Sequence, residues 1–189
     1  MTKNLKGEQS RYKIIRCAAR LFWQKGYNAT GINEILTETC LPKGSFYFYF
    51  AGKKDLAVQV AAYYDQKIND WISKTAEGKT WADFITAIVT DIIEGAEKKR
   101  NYGCPLAVLG LEIAFSEPEV AVNYAEAMER TMDIFADVLR FSGLAGEQAA
   151  ILAQRAFAVY EGHLLFYRIS KDIEELRRMH RDLLAVVEI

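Results

Sequence analysis

The side chains with the most evident chemistry lie between Pro42 and Lys54, in the run P-K-G-S-F-Y-F-Y-F-A-G-K-K. Serine, lysine and tyrosine supply hydrogen-bond donors, and glycine lets a backbone come close to a ligand. No acid interrupts the run. The spacing predicts a helix of about two turns over Lys43–Phe50, after a proline that a helix start accepts. At about 100° per residue, Phe46 and Phe50 fall on one side and Gly44, Ser45 and Phe48 on the other, with Tyr47 and Tyr49 flanking. Phe46 and Phe50 can seal a small core against Phe22, Ile35 and Leu36. The opposite face fits a DNA major groove. Gly44 allows close approach, Ser45 can pair with a base edge, and Phe48 can touch a thymine methyl. Tyr47, Tyr49, Lys43, Lys53 and Lys54 are at the reach of flanking phosphates.

Other chemistry is poorly represented. The chain has two histidines and no nucleophile elbow, phosphate loop or HExxH pattern, so no catalytic constellation, and no enzyme, is expected. Three cysteines without CxxC spacing argue against a zinc module or a disulfide scaffold. No metal and no cofactor is expected. The charged N-terminus lacks the apolar core of a signal peptide, and no apolar run is long enough to span a bilayer. The expected location is the cytoplasm.

The formal net charge of −1 hides an asymmetry. Residues 1–54 carry ten Lys and Arg against three acids, and the remainder carries 14 against 22. A basic module on an acidic body suggests a polyanionic partner for the basic end.

The elements that must position these side chains read as helices throughout. Helices are expected at Ser10–Lys25 with Gly26 as its stop, and after Thr30 as an N-cap. Further helices are expected at Lys43–Phe50, Lys53–Lys74, Thr80–Lys99, Cys104–Phe115, Glu117–Phe141, Glu147–Ser170 and Asp172–Val187. That is nine helices and no sheet, an all-α chain. The first three form a helix-turn-helix unit. The expected division is a DNA-binding domain at 1–52 and an effector-binding and dimerisation domain at 53–189.

The stretch Ile14 to Leu56, with R-C-A-A-R-L-F-W-Q-K-G-Y-N-A-T-G-I-N-E-I and L-P-K-G-S-F-Y-F-Y-F-A-G-K-K-D-L, resembles the DNA-binding segment of the tetracycline-repressor (TetR) family. Length and helix number are also similar to that family. The resemblance implies a homodimeric repressor whose third helices enter the two halves of a palindromic operator. By position, Thr30, Lys43, Tyr47, Tyr49 and Lys53 resemble phosphate-contacting residues, and Ser45 and Phe48 base-reading ones. Cys40 departs from the family's usual turn glycine and would strain a left-handed backbone.

Two heads one DNA turn apart bind far better than one, so a dimer seam is needed. The last two long helices are expected to form it through Ala149, Ala153, Ala156, Val159 and Gly162, and through Leu176, Met179, Leu183, Leu184 and Val187. The alternative is that these helices complete the monomer core. The middle helices are expected to enclose a pocket for a small apolar or aromatic effector. Its candidate lining is Tyr63, Tyr64, Phe84, Tyr102, Leu106, Leu109, Phe115, Phe157 and Tyr160, most of which must be ordinary core, and Ile88 joins this set. Glu112, in an apolar helix, could meet a ligand or pair with an Arg or a helix end. His163 reads as a satisfied core histidine rather than a sensor.

Cys104 opens a helix behind Lys98, Lys99 and Arg100, the surroundings of a reactive thiolate. An alternative function is therefore a repressor that senses oxidants or electrophiles through Cys104. A third reading is a non-catalytic helical scaffold whose basic end meets an anionic surface.

Overall fold

The computed structural model describes residues 2–187, with side chains from residue 7 onward. Among the described residues it contains nine α-helices and no strand. They are α1 (Thr2–Lys25), α2 (Ile32–Thr39), α3 (Lys43–Tyr49), α4 (Lys53–Ala76), α5 (Trp81–Glu97), α6 (Pro105–Ile113), α7 (Pro118–Phe141), α8 (Gly146–Ser170) and α9 (Glu174–Ala185). No helix among the described residues is long and apolar enough to cross a membrane.

Local chemistry sets the helix ends. Gly26 stops α1 at φ +101°, and its amide bonds the Phe22 carbonyl at 2.8 Å. The Thr80 hydroxyl accepts from the Asp83 amide and caps α5. Lys171 closes α8 in the left-handed region at φ 60°. The expected cap of α2 is corrected. Gly31, not Thr30, stands at that N-cap, and Thr30 is fully buried with its hydroxyl donating to Gly26 O at 2.8 Å. Thr30 lies one residue before the cap position, out of register for its oxygen to accept from the first amides of α2.

The chain folds as two compact units, residues 1–66 with 105–127 and residues 67–104 with 128–189. These units do not coincide with a cut after residue 52, because α4 and α7 each contribute to both and α6 belongs wholly to the first. The core of the first unit is built from Ile14, Leu21 and Phe22 of α1, Ile35 of α2, Phe46, and Leu56 and Val60 of α4. The core of the second unit gathers Ile72, Phe84, Ile88 and Phe135 with the inward faces of α8 and α9. Trp81 is buried there and donates its indole N–H to Leu183 O at 2.9 Å.

The expected dimer seam is corrected in part. Ala149, Ala153 and Ala156 of α8 and Leu176, Met179 and Leu183 of α9 are buried within the single chain. Their small or apolar side chains let α8 and α9 pack on their own neighbours. A different row of α8 faces solvent: Ile151, Ala158, Leu165, Phe166 and Ile169 are all exposed. Half-buried Gly162 lies in that row, and a Cβ there would meet no atom within 4 Å.

Candidate nucleic-acid interface

Helix α3, seven residues long, divides its aromatic side chains between the core and solvent. Phe46 and Phe50 turn inward, with rings 5.4 Å apart and at most 1% exposed. Phe48 is 80% exposed and Tyr47 54% exposed. Burying a phenylalanine is worth about 1.5–3 kcal/mol, and Phe48 forgoes most of that in the single chain. Ser45 is half-buried, while Gly44 and Lys43 are exposed, and a Cβ on Gly44 would meet nothing. The Tyr49 hydroxyl lies against α1, 3.4 Å from where a Cβ on Gly7 would stand. The expected outward face is thus assembled around Phe48.

The turn before α3 holds a strained cysteine, as the departure from a turn glycine predicts. Cys40 sits at φ 52°, ψ 37°. The Leu41 amide reaches back to Leu36 O and the Cys40 amide to Thr37 O, both at 3.2 Å. This is a Schellman closure, and it demands the left-handed residue whatever its side chain. A β-carbon there costs about 1–2 kcal/mol relative to glycine.

Three of the expected phosphate-contacting residues are placed otherwise. Thr30 is sealed inside, as described, and presents nothing to a polyanion. Lys54 is committed to Glu117, 3.2 Å away, and to Glu119. Half-buried Lys53 folds back over the Tyr27 ring, 4.3 Å from its centroid. Burial lowers its pKa from the ordinary lysine value, against the opposing charge of Glu112.

Glu112 has a firm assignment of another kind. Its two carboxylate oxygens accept the backbone amides of Tyr27 and Asn28, each at 2.7 Å. Gly26 beside them is required, since a Cβ would stand 2.9 Å from a Glu112 oxygen. The carboxylate of α6 therefore fastens the loop between α1 and α2.

The remaining expected pocket residues divide between the units. In the first, the Tyr64 hydroxyl donates to Ala19 O at 2.8 Å, Tyr63 packs edge-on to Tyr12, and Leu106 and Leu109 are core. Phe115, expected as lining, is 98% exposed and lines nothing. In the second, Phe84 and Ile88 are core, and the Tyr102 hydroxyl donates to Lys99 O at 2.9 Å. Phe157 and Tyr160 are brought together, with ring centroids 6.0 Å apart. An open groove of about 410 Å³ in this unit is lined by Ala145, Glu147, Gln148, Ile151, Leu152, Arg155 and Val187, none of them an expected effector contact.

Cys104 precedes α6 rather than opening it, and its hydrogen-bond partner is the carboxyl of Glu161. That neighbour is the opposite of the basic surroundings expected from Lys98–Arg100. His163 is satisfied, with its ring nitrogens 3.4 Å from Glu175 and 2.9 Å from Asp182. Sequence reasoning missed Glu161. The only signal was an acid inside the apolar run A-V-Y-E-G-H-L-L-F of α8.

Three helices closing on a small aromatic core, with the last offering glycine, serine and an exposed phenylalanine, define a helix-turn-helix DNA-binding protein. Residues 14–60 match the N-terminal domain of bacterial regulatory proteins of the tetR family. Residues 82–182 match the C-terminal domain of LmrA/YxaF-like transcriptional regulators. The chain belongs to the TetR family of transcriptional regulators. It is 30% identical to the HTH-type regulator YxaF of Bacillus subtilis over 86% of this chain and 87% of that one. It is 28% identical to the regulator LmrA of the same organism over 86% and 88% of the two chains. A TetR-family regulator from Agrobacterium tumefaciens shares the fold at a TM-score of 0.84 and 19% identity, over 97% of this chain and 98% of that one. These relatives are regulators of transcription, not enzymes.

Proposed function

We propose that this regulator is a ligand-responsive repressor, binding a palindromic operator as a homodimer in the cytoplasm and released by a small apolar or aromatic effector. The observation that carries the DNA reading is the exposed face of α3, where Phe48 stands in solvent beside Gly44 and Tyr47. We keep residues 1–52 as the reading module and 53–189 as the effector and dimer body, as a functional division. In this reading Ser45 and Phe48 read bases, and Lys43, Tyr47 and Tyr49 hold phosphates. Past the Gly31 cap, which has no side-chain acceptor, the first amides of α2 take the place first given to Thr30.

The dimer surface is the solvent-facing row of α8, Ile151, Ala158, Gly162, Leu165, Phe166 and Ile169. At about 100° per residue these six positions fall on one face of the helix. A second copy would cover large apolar side chains that the single chain leaves wet. Effector binding would favour an arrangement of α4 that alters the spacing of the two heads, so that operator and effector compete for two states of one dimer.

A gel shift against the DNA upstream of the protein's own coding region, repeated over a salt series, tests the DNA reading. Affinity should fall steeply as salt rises, because phosphate neutralisation releases counterions. A flat salt dependence, or indifference to DNA at low salt, would refute the assignment of α3. A thermal-shift screen of small molecules followed by DNA release tests the effector.

A further inference from the structure

The acid in the middle of α8 lies outside everything assigned so far. Among the described residues, Glu161 Oε1 is the buried side-chain oxygen or nitrogen without a hydrogen-bond partner. A buried polar atom left unpaired costs about 1–3 kcal/mol. Its carboxyl accepts from the Cys104 thiol, while burial pushes its pKa up to about 7. Burial raises it and that single hydrogen bond lowers it; no cation adds to the lowering. Buried carboxylates are ordinarily paired with one.

The neighbours are held firmly. Gly103, at φ +88°, presses the segment before α6 onto α8, where a Cβ would stand 3.0 Å from Leu164 O and 3.2 Å from Arg168 Cβ. Arg168 donates to Tyr102 O at 2.6 Å. Cys104 is thereby fixed beside Glu161. Phe157, one turn before Glu161, packs with Tyr160 and with Phe135, at centroid distances of 6.0 and 5.8 Å. An acid with one unpaired oxygen and adjoining aromatic rings matches a cation better than a neutral donor. The charge pair gains in a poorly solvated place, and ring faces attract an ammonium.

We infer that Glu161, with Cys104 at its side and the Phe157 and Tyr160 rings on the same helix, recognises the ammonium group of a small organic amine bearing an aromatic body. The inference deepens the effector reading above and rests on it for its regulatory meaning, but binding itself can be measured without DNA. The titratable groups facing Glu161 are Cys104 from the segment before α6 and Tyr160 on α8. The α9 acids Glu175 and Asp182 are engaged with His163. Burial holds the Tyr160 phenol well above its ordinary range, so it stays neutral throughout. An ammonium binds the ionised carboxyl, so affinity should rise as pH climbs towards about 7 and level off above it.

The test is calorimetric titration of the full-length protein with 2-phenylethylamine and with its neutral isostere 2-phenylethanol. At about pH 8 the amine should bind at least about tenfold more tightly than the alcohol, and the advantage should shrink by about pH 6. In the acidic range amine binding should release a proton, read as a difference in heat between phosphate and Tris buffers. Glu161→Gln should abolish both the preference and the proton release, and Cys104→Ser should retain them. Equal affinities, no binding of the amine, or a Gln variant that keeps the preference would each overturn the inference. Should the Gln variant fail to fold, proton release by the unaltered protein decides. Amine binding through Glu161 that leaves DNA affinity unchanged would refute the effector reading and spare this site. DNA release by a neutral compound, undiminished in Glu161→Gln, would do the reverse.

Discussion

Helices α3 and α8 both leave large apolar side chains in water, yet their surroundings differ. On α3 the exposed Phe48 and Tyr47 stand among glycine, serine and lysine, in a stretch of sequence without an acid. On α8 the exposed Leu165, Phe166 and Ile169 continue a row through Gly162, Ala158 and Ile151. The first surface pairs an apolar contact with donors and positive charge, as a nucleic-acid groove requires. The second pairs apolar bulk with small residues, as a close-packed protein partner requires. Exposure alone does not identify a partner, and the chemistry beside the exposed side chain does.

The largest effect should come from placing a charge on the α8 row. Phe166→Asp should yield monomers by sedimentation and weaken operator binding about 10²–10⁴-fold, since avidity between two heads is lost. A variant that stays dimeric would move the seam elsewhere. Next comes Glu112→Ala, which removes two charge-assisted hydrogen bonds to backbone amides. It should cost about 2 kcal/mol of stability in denaturant melts, while Phe166→Asp leaves the monomer's own core intact. On α3, Phe48→Ala should keep the dimer and shift base preference at one operator position by about 1–3 kcal/mol, read by competition among operator variants. If instead it weakened binding to all sequences alike, Phe48 would be a positioning contact rather than a reader. The smallest effect is Cys40→Gly, which should raise stability by about 1 kcal/mol in thermal melts by relieving the left-handed strain.

Much of the fold was legible because helix periodicity, Gly26, Thr80 and the Pro42 break act locally. The two sides of α3 were legible for the same reason: in two turns, Phe46 and Phe50 have one direction to face. What escaped the sequence was partnership at a distance. Lys54 looked available until Glu117 and Glu119, far along the chain, came beside it. Ala149, Ala153 and Ala156 permit close approach, but spacing does not say whether the neighbour is the same chain or another. Glu112 was marked as unusual from its apolar helix, yet its partners proved to be backbone amides, which carry no side-chain signature. Glu161 left only the faint trace of an acid in an apolar run, because its burial depends on where the Gly103–Cys104 segment lies against α8.

The fastening of the α1–α2 loop by Glu112 bears on how separable the reading head is. A fragment ending at residue 52 would keep every side chain proposed to touch DNA, but it would lose the carboxylate that holds the Tyr27 and Asn28 amides. That carboxylate sits on a helix more than fifty residues downstream of the apparent boundary, and the loop it fastens leads directly into α2. Chimeras that exchange heads between relatives should therefore transplant α6 together with the first three helices. A swap made at the apparent boundary would join a head to another protein's latch.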